Sequence, residues 1–366
     1  MLEYSPEMLK RWRLWLGLVI SAAFLYVALQ GLSLREVWEA LKGANYWWLL
    51  PGVGAYFLAV WARTWRWHYL LRPMKSIPVR TLFPVVAIGY MGNNIYPARA
   101  GELLRAYILK RQERINISAN LATIVVERIF DGLVMLLFVF VTLPISGLGG
   151  NYKGLVTGFS LLFFGALALF MVMAVRPDWC RRLLGFFLMR LVPRRFHAGA
   201  RETLDRFLDG LESLRSGHDV LMIFVTSVVI WLLETVKYWL VMHAFPFEVS
   251  FYVLMLMNGV VNLFTTLPAA PGYVGTFDLP GIEILQRFGV PHDIATGYTL
   301  VLHAALWIPI TVLGAFYLWQ ARLSVDQVRA ELRHDDEARK LDLVEGDENE
   351  QPDQVWNEAS SVTGLK

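Results

Sequence analysis

The sequence contains one cysteine, Cys180, among its 366 residues. An internal disulfide and a metal site with several thiolate ligands are therefore both excluded. No Gly-x-Ser-x-Gly, P-loop, dinucleotide-binding fingerprint or His/Cys metal spacing occurs in the chain. These absences argue against the common hydrolase, nucleotide-binding and zinc-protein classes. We expect no cofactor, no metal and no nucleic-acid partner.

Charged side chains are scarce in this chain, and apolar ones are abundant. Asp, Glu, Lys and Arg make up 18% of the residues, whereas hydrophobic residues make up 56%. A helix of about 20 apolar residues spans a bilayer. Runs close to that length lie at about 14–30, 46–62, 118–143, 154–175, 219–245 and 294–320. The composition predicts an all-α polytopic membrane protein with about six full spans.

The positions of the basic residues predict the orientation of these spans, because cytoplasmic loops are enriched in Lys and Arg. Lys10, Arg11 and Arg13 precede the first span, and the segments 63–80 and 176–218 are also rich in basic residues. All three regions are expected on the cytoplasmic side of the inner (cell) membrane, with both termini inside. The pattern of 176–218 is typical of amphipathic helices at the membrane surface, and recognition of lipid head groups is its alternative role.

Two further apolar regions, at about 82–109 and 252–286, are interrupted by proline, glycine and asparagine. A basic segment follows the first region and puts both of its ends on one side, so we predict a re-entrant helical hairpin rather than a crossing. The second is expected to be an opposed hairpin entered from outside, because its flanks are nearly free of basic residues. Residues 1–320 would form the transmembrane domain, and residues 321–366 a charged, partly disordered cytoplasmic tail.

The two interrupted regions resemble each other at a fixed spacing of 171 residues. The residues aligned by this shift are Pro97 and Pro268, Ala98 and Ala269, Gly101 and Gly272, Arg63 and Glu234, and Arg66 and Lys237. The two halves, about 46–143 and 219–320, run in opposite directions in the topology above, which predicts an inverted repeat. Transporters with inverted repeats bind their substrate near the midplane of the bilayer, between broken helices.

The first interrupted region contains the sequence NNIYPARAGELLRAYIL, which starts at Asn93. A helix that begins after its proline presents free N–H groups and the positive end of the helix dipole, which suit an anion. Arg99 and Arg105 flank Glu102 on one helical face, and a guanidinium can hold phosphate with two hydrogen bonds. We predict that these residues, with Asn93 and Asn94, bind a lipid phosphate. An internal Arg–Glu–Arg network that secures the hairpin is the alternative.

Three charged residues, Glu127, Arg128 and Asp131, lie well inside the span that follows. Charges at this depth are costly and usually mark a functional pathway. Arg128 has two potential partners, Asp131 and Glu102. A structural core of salt bridges is therefore the alternative interpretation.

The second interrupted region, LPAAPGYVGTFD, contains Pro271, Gly272 and Gly275 before Asp278. Proline and glycine at this density favour an unwound turn with exposed backbone groups, which we predict to line the substrate path. Asp278 has two open interpretations. It binds a cation, a proton or a lipid amine, or it caps the second arm of the hairpin.

Other polar residues inside the predicted spans complete the candidate site. Glu234 and Lys237 are one helical turn apart and are expected to satisfy each other's charge. His303 is either a hydrogen-bonded helix contact or part of a proton relay, and Asn258 and Asn262 are expected to link helices. Six tryptophans are predicted anchors at the membrane interface, namely Trp12, Trp15, Trp47, Trp48, Trp65 and Trp67.

Four segments carry a resemblance to a known family. They are RTWRW (63–67), GYMGNNIYPARAGELLRAYIL (89–109), VVERIFDG (125–132) and LPAAPGYVGTFD (267–278). Together they resemble the flippase-like membrane domain of bacterial lysylphosphatidylglycerol synthases, a family that also includes stand-alone bacterial and archaeal proteins. The resemblance implies handling of a lipid, which is aminoacylated phosphatidylglycerol in the fused synthases and a polyprenyl-linked sugar elsewhere. Because no soluble aminoacyl-transferase domain follows the last span, lysine transfer is not expected.

These observations predict a lipid translocase rather than an enzyme. A phospholipid or a polyprenyl-phosphate-linked lipid would move between leaflets, with its phosphate on the arginines of the first hairpin. One alternative is a membrane-embedded transferase with Glu127 or Asp131 as general base, although no nucleophile accompanies them. The other is a non-catalytic partner of a glycosyltransferase or lipid synthase, docked through 176–218.

Overall fold

The structure of the protein, a computed structural model, describes a set of packed helices. The described ranges are 34–96, 100–146, 203–208, 216–266 and 270–321, with isolated positions at 19, 26, 211 and between 154 and 182. Within them the chain forms helices and no β-strand, so the predicted all-α class is confirmed there. Arg99, the tail beyond 321, most of 176–218 and most of the first and fourth predicted spans lie outside the described residues.

Nine α-helices account for most of the described ranges. In chain order they are α1 (Leu34–Gly43), α2 (Leu49–Leu71), α3 (Val79–Ile95), α4 (Ala100–Glu113), α5 (Ile117–Ser146), α6 (Gly217–Met242), α7 (Phe251–Phe264), α8 (Asp278–Arg287) and α9 (His292–Gln320). Short 3-10 turns at Tyr46–Trp48 and Pro271–Tyr273 precede α2 and α8. Among the described helices, α6 and α9 meet the length and apolar composition needed to cross a membrane.

Helices α2 and α6 pack against each other more extensively than any other described pair. Gly52, near the start of α2, lies against Val241 at the end of α6. Arg66, near the end of α2, reaches Ser227 in the first half of α6. Because these contacts run in opposite order along the two helices, α2 and α6 are antiparallel. The seam between them supplies one wall of the candidate site.

In each interrupted region two consecutive helices pack against each other, α3 with α4 and α7 with α8, and we call each pair a hairpin. In the first, a Cβ atom added to Gly101 of α4 would lie 1.9 Å from the carbonyl oxygen of Gly89 in α3. In the second, a Cβ atom added to Gly281 of α8 would lie 2.7 Å from the Cε of Met257 in α7. Gly101 therefore lets the backbones of α3 and α4 approach closely, whereas Gly281 makes room for the methionine side chain of α7.

A long helix follows each hairpin and packs against the other hairpin. Helix α9, which follows the second hairpin, packs on α3, with Gly314 against Met91 and Ala87. Helix α5, which follows the first hairpin, packs on α7, where Gly259 approaches the carbonyl oxygen of Met135. The two halves of the chain therefore interlock rather than lie side by side.

Buried apolar side chains form two clusters. One comes mainly from α5 to α9 and contains Leu263 and Tyr298. The other comes mainly from α2, α3, α4 and α5 and contains Leu82 and Ile108. Charged side chains are buried among the same helices, including Arg66 and Lys237. Since an unpaired charge in such surroundings is very costly, these side chains must have partners.

The structure corrects two predictions about the segment after the second span. Helix α2 continues to Leu71, so Arg63 and Arg66 lie inside the bundle and not in a cytoplasmic loop. They are buried because carboxylates from other helices pair with them. Trp67 is not an interface anchor, because its side chain is fully buried and its indole N–H donates to the Oγ1 of Thr123 at 3.1 Å.

Candidate functional site

A cavity of about 130 Å³ opens between the α2–α6 seam, the two hairpins and α9. The charged side chains among its described lining residues are Arg63, Arg128, Glu234 and Lys237. Aromatic rings from α2, α3, α6, α9 and the turn before α8 form much of the remaining wall. A concave site with apolar walls and a few convergent polar groups is the usual form of a ligand site.

Glu234 stands between two cations on the wall of this cavity. The guanidinium of Arg63 donates to one of its carboxylate oxygens, and the ammonium of Lys237 donates to the other. Lys237 lies 4.9 Å from the ring centre of Tyr56, and Arg63 lies 5.0 Å from that of Trp231. The predicted pairing of Glu234 with Lys237 is confirmed, but Arg63 shares the carboxylate. These three residues, which we call the charged triad, sum to one positive charge.

A second group of charges lies beside the charged triad and is evenly paired. Arg66 donates to both carboxylate oxygens of Asp131, at 2.6 and 3.3 Å. Arg105 donates to Glu127 at 2.6 Å, and its guanidinium lies 3.7 Å from the ring centre of Trp67. Arg66 also approaches Glu127 to 3.8 Å and so joins the two pairs. These contacts tie α2, α4 and α5 together.

Arg128 connects these pairs to the cavity. Its Nε lies 3.2 Å from the Oε1 of Glu102, and its Nη1 lies 3.6 Å from the Oδ2 of Asp131. Both partners considered for Arg128 are therefore present. Its side chain is 31% exposed and lines the cavity. The evenly charged set, which we call the balanced cluster, comprises Arg66, Arg105, Arg128, Glu102, Glu127 and Asp131.

Glu127 and Asp131 were candidate general bases, and the described lining of the cavity includes neither of them. Both carboxylates are occupied by arginine donors. Asp131 additionally accepts a hydrogen bond from the indole N–H of Trp231 at 2.9 Å, and that indole lines the cavity. In this geometry the two carboxylates serve as counter-charges behind the cavity wall.

The two asparagines before the first break both line the cavity. Asn94 donates to the Oγ1 of Thr311 at 2.9 Å and so ties α3 to α9. The Oδ1 of Asn93 is buried against Gly101 of α4, without a hydrogen-bond partner among the described residues. Arg99, predicted to flank Glu102, falls outside the described residues.

The second break turns sharply before α8. Pro271 begins a 3-10 turn, and the backbone φ angles at Gly272, Tyr273 and Gly275 are 74°, 62° and 82°. A positive φ is uncommon for a residue with a side chain, so Tyr273 marks a turn that its surroundings hold in place. A Cβ atom on Gly272 would lie 2.8 Å from the indole nitrogen of Trp307, so the turn backbone packs directly on α9.

Asp278 and His303 hold this turn from two helices. One carboxylate oxygen of Asp278 accepts a hydrogen bond from the N–H of Gly275 at 2.8 Å, and the other lies 2.9 Å from the Nδ1 of His303. The Nε2 of His303 lies 2.7 Å from the carbonyl oxygen of Gly272. Asp278 therefore caps the turn before α8 rather than the free N–H groups of that helix. His303 forms the predicted hydrogen-bonded helix contact.

The predicted interhelical role of the α7 asparagines is confirmed for Asn258, and the side chain of Asn262 forms a hydrogen bond with Tyr238 of α6. Asn258 donates to the carbonyl oxygen of Trp231 and to the Oγ1 of Thr235, which links α7 to α6. Asn262 donates to Asn258 within α7 and lines the cavity.

Two kinds of cavity residue were not predicted from the sequence. Arg63 could have been identified from the internal repeat, because it aligns with Glu234 at the 171-residue spacing and contacts Glu234 in the structure. The aromatic residues Trp231 and Trp307 carried none, because the chain has 14 tryptophans and most apolar spans contain aromatic residues. Only the fold distinguishes the rings that face the cavity.

Known proteins with similar sequences are membrane proteins and a glycosyltransferase. A UPF0104 membrane protein from Methanothermobacter thermautotrophicus is 25% identical over 82% of this chain and 91% of its own length. A UPF0104 membrane protein from Methanocaldococcus jannaschii is 22% identical over 85% and 95%, respectively. Glycosyltransferase AglD from Haloferax volcanii is 23% identical over 86% of this chain and 55% of its own length. No solved structure matches the chain.

One family model matches most of the chain, and it is described as the lysylphosphatidylglycerol synthase TM region. The match extends over residues 14–314 and so includes both hairpins and all the cavity residues named above. It confirms the resemblance that the four sequence segments indicated. The chain therefore belongs to the family of the lysylphosphatidylglycerol synthase transmembrane region.

Proposed function

We propose that this protein moves a lipid with an anionic phosphate head group between the two leaflets, and that the head group passes through the cavity. The observation that carries the proposal is the charge of the cavity wall. Arg63 and Lys237 share the single carboxylate of Glu234, and Arg128 adds a partly exposed guanidinium. A phosphate diester brings one negative charge, which balances the excess charge of the charged triad.

The chemistry of the lining side chains suits this head group. Guanidinium groups donate paired hydrogen bonds to phosphate oxygens, and an ammonium acts as a compact point charge. Both interactions gain strength where the surroundings exclude water. The amides of Asn93 and Asn262 and the ring of Trp307 lie on the same cavity wall and offer contacts for the group attached to the phosphate.

The same charges argue against a lysyl head group. Lysyl-phosphatidylglycerol carries a net positive charge, and like charges close together in a site of low polarity repel. The described cavity wall offers one carboxylate, Glu234, which two cations already share. We therefore place the substrate among phosphate-headed lipids with a neutral or acidic substituent, which includes simple phospholipids and polyprenyl-phosphate-linked lipids.

We propose further that the two halves form an inverted repeat. Helices α2 and α6 are antiparallel, and two contacts between them support a two-fold relation. Arg66 donates to Ser227 at 2.6 Å, and Lys237 lies over Tyr56 at 4.9 Å. A shift of 171 residues converts Arg66 to Lys237 and Tyr56 to Ser227, so each contact corresponds to the other.

The order of the helices supports the same relation. The shift of 171 residues places α2 on α6, α3 on α7, α4 on α8 and α5 on α9. Arg63 and Glu234 correspond to each other and are in direct contact, as expected for residues next to a two-fold axis. Inverted repeats of this kind expose a central site alternately to the two sides. Six full spans, re-entrant hairpins and cytoplasmic termini in the inner membrane belong to this proposal.

Lipid movement in proteoliposomes tests the proposal. The assay follows labelled phosphatidylglycerol, lysyl-phosphatidylglycerol and polyprenyl phosphates between leaflets. Arg128→Gln and Lys237→Met each remove a cavity charge and are expected to slow transport at least about tenfold, which corresponds to one lost charged hydrogen bond. Arg287→Gln is the matched control, because this arginine is 38% exposed on α8 and is not among the described lining residues.

Two results would contradict the proposal. One is the absence of transport for every lipid class by protein that is folded and correctly inserted. The other is equal transport by the parent protein and both cavity variants. Faster movement of the lysyl lipid than of the anionic lipids would keep the translocase but refute the substrate class.

A second candidate function is support of a glycosyltransferase by direct binding. The observation that favours it is the alignment with AglD, which includes 86% of this chain but only 55% of the glycosyltransferase. Co-purification of the tagged protein from its native membrane tests this candidate. Recovery of a glycosyltransferase, together with transport only when that enzyme is added, would favour it over an autonomous translocase.

A further inference from the structure

We propose that Asp278 and His303, which we call the dyad, form a proton-binding site whose occupancy holds the turn at 272–275 closed against the cavity. The site is built from side chains that the proposed lipid contacts do not use. The side chain of Asp278 is 3% exposed and that of His303 is 13% exposed, so both are largely buried. Proton binding by the dyad can be measured without any lipid movement. The link between the two rests on the proposed function.

The hydrogen-bond pattern fixes the number of protons in the closed turn. The carbonyl oxygen of Gly272 can only accept, so the Nε2 of His303, 2.7 Å away, carries a proton and donates it. The Nδ1 of His303 lies 2.9 Å from an oxygen of Asp278, and a second proton must lie between them. Either the ring or the carboxyl group carries this second proton. The dyad therefore binds one proton more than a neutral imidazole beside a carboxylate.

Loss of that proton breaks one of the two contacts. If Nε2 keeps its proton, a ring lone pair at Nδ1 faces the carboxylate of Asp278. If Nδ1 keeps the proton, a ring lone pair at Nε2 faces the carbonyl oxygen of Gly272. Both arrangements place two acceptors within 3 Å of each other, which is repulsive. The proton-free dyad therefore releases either Asp278 or the turn.

The turn is a structure that such a release can change. Its backbone has positive φ at Gly272, Tyr273 and Gly275. Asp278 holds its far end through the N–H of Gly275, and His303 holds its near end through Gly272. Unusual backbone geometry persists only while the surrounding contacts enforce it. Gly272 and Tyr273 line the cavity, so opening of the turn changes the cavity wall.

The charges around the dyad link the proton to an anionic substrate. The charged groups that share the cavity with His303 are Arg63 from α2, Arg128 from α5, and Glu234 and Lys237 from α6. The tyrosines of the same wall are Tyr56, Tyr90, Tyr238 and Tyr273. The ring of Phe277 covers the imidazole at a centroid distance of 4.5 Å. A lipid phosphate in the cavity and a proton on the dyad attract each other, so each binding event favours the other.

Cysteine labelling measures the state of the turn without any transport. Thr276 is fully buried and donates to the carbonyl oxygen of Tyr273 at 3.1 Å, so Thr276→Cys places a thiol under the turn. The chain has one native cysteine, which Cys180→Ala removes. Maleimide labelling is followed in nanodiscs from about pH 5 to 9, the range in which histidine pairs titrate. Each rate is divided by that of denatured protein to remove the titration of the thiol.

The parent background is expected to label at least about tenfold faster at high pH, which corresponds to ~1.4 kcal/mol. In Asp278→Asn the amide N–H donates to Nδ1 and the amide oxygen still accepts from Gly275. This variant reproduces the closed pattern without a titratable proton, so its labelling should be slow at every pH. Glu283→Gln is the matched control, because this carboxylate lies on the same helix and pairs with Arg287, and its pH profile should equal that of the parent.

The outcomes separate the proton site from the translocase. Labelling independent of pH in the parent, or an Asp278→Asn profile equal to that of the parent, overturns the proton site whatever the transport assay shows. The expected labelling pattern supports the site even if no lipid moves, and then the translocase is the part that fails. If the protein does transport, a pH gradient should change the rate for the parent and not for Asp278→Asn.

Discussion

Removal of the shared carboxylate tests whether the charged triad holds an excess positive charge. In Glu234→Gln, Arg63 and Lys237 keep their charges in buried positions, with no carboxylate between them. Removal of one partner from a buried ion pair typically costs about 3–5 kcal/mol. Lys237→Met leaves Arg63 and Glu234 as a neutral pair. It removes one charged hydrogen bond and the contact with Tyr56, for a smaller cost of about 1.5–3 kcal/mol.

The double variant Glu234→Gln/Lys237→Met gives the sharper result. It contains one uncompensated cation, Arg63, where Glu234→Gln contains two. We therefore expect it to be more stable than Glu234→Gln alone, with a coupling of about 1–3 kcal/mol in the double-mutant cycle. Intrinsic fluorescence of the 14 tryptophans reports thermal unfolding in detergent. At roughly 2 °C per kcal/mol for a chain of this size, Glu234→Gln should melt about 6–10 °C below the parent.

A phosphate ligand should restore part of the loss. At about 100 times its dissociation constant, a ligand stabilises the folded state by about 2.7 kcal/mol. A soluble short-chain phosphatidic acid should therefore raise the melting temperature of Glu234→Gln by about 5 °C and that of the parent by less, because the phosphate replaces the missing charge. Short-chain diacylglycerol is the neutral control. If Glu234→Gln melts no lower than Lys237→Met, or if the double variant is the least stable of the three, the charge reasoning is refuted.

Three further changes test the packing around the site. Gly101→Ala places a Cβ atom 1.9 Å from the carbonyl oxygen of Gly89 and should prevent stable folding, whereas Gly54→Ala, with no atom within 4 Å of its Cβ, should be neutral or stabilising by up to about 1 kcal/mol. Asn258→Ala removes two hydrogen bonds between α7 and α6 and should cost about 1 kcal/mol, measured by the same fluorescence melt. Trp231→Phe keeps an aromatic wall but removes the donor to the buried carboxylate behind it, and should cost about 1–3 kcal/mol.

The long helices were predictable because the thickness of the bilayer sets the length of the apolar run that spans it. A run of apolar residues at about 118–143 corresponds to α5 (Ile117–Ser146), and the run at about 294–320 corresponds to α9 (His292–Gln320). In both cases the helix extends a few residues beyond the run, since a helix does not end where its apolar character ends. The two interruptions were predictable because proline and glycine both disfavour the interior of a regular helix.

The end of the second span was not predictable from the positions of basic residues. Arg63 and Arg66 follow an apolar run directly, and such arginines usually indicate a cytoplasmic loop. That rule counts charges and takes no account of their partners. In the fold Arg66 meets Asp131, 65 residues away, and Arg63 meets Glu234, 171 residues away. A pairing over such a distance follows from the packing of helices and leaves no local pattern in the sequence.

The candidate site was predictable in its charged residues and not in their arrangement. Because a charge inside a membrane is costly, the positions of Glu127, Asp131 and Glu234 within apolar runs identified them from the sequence alone. Which of these carboxylates faces a cavity depends on the rotation of each helix within the bundle. The structure puts Glu234 on the cavity wall and the other two behind it. The internal repeat was the one sequence feature that carried information about a distant contact.

The contrast between the balanced cluster and the charged triad separates two uses of buried charge in one protein. In the balanced cluster three arginines meet three carboxylates, and such a set can join helices without any further ligand. In the charged triad two cations share one carboxylate, at the position where the two halves of the chain meet and where the cavity opens. A surplus charge in surroundings of low polarity is costly and adds nothing to packing that a neutral pair would not supply. Its position on the cavity wall therefore supports the proposed ligand of opposite charge, which would complete the pairing.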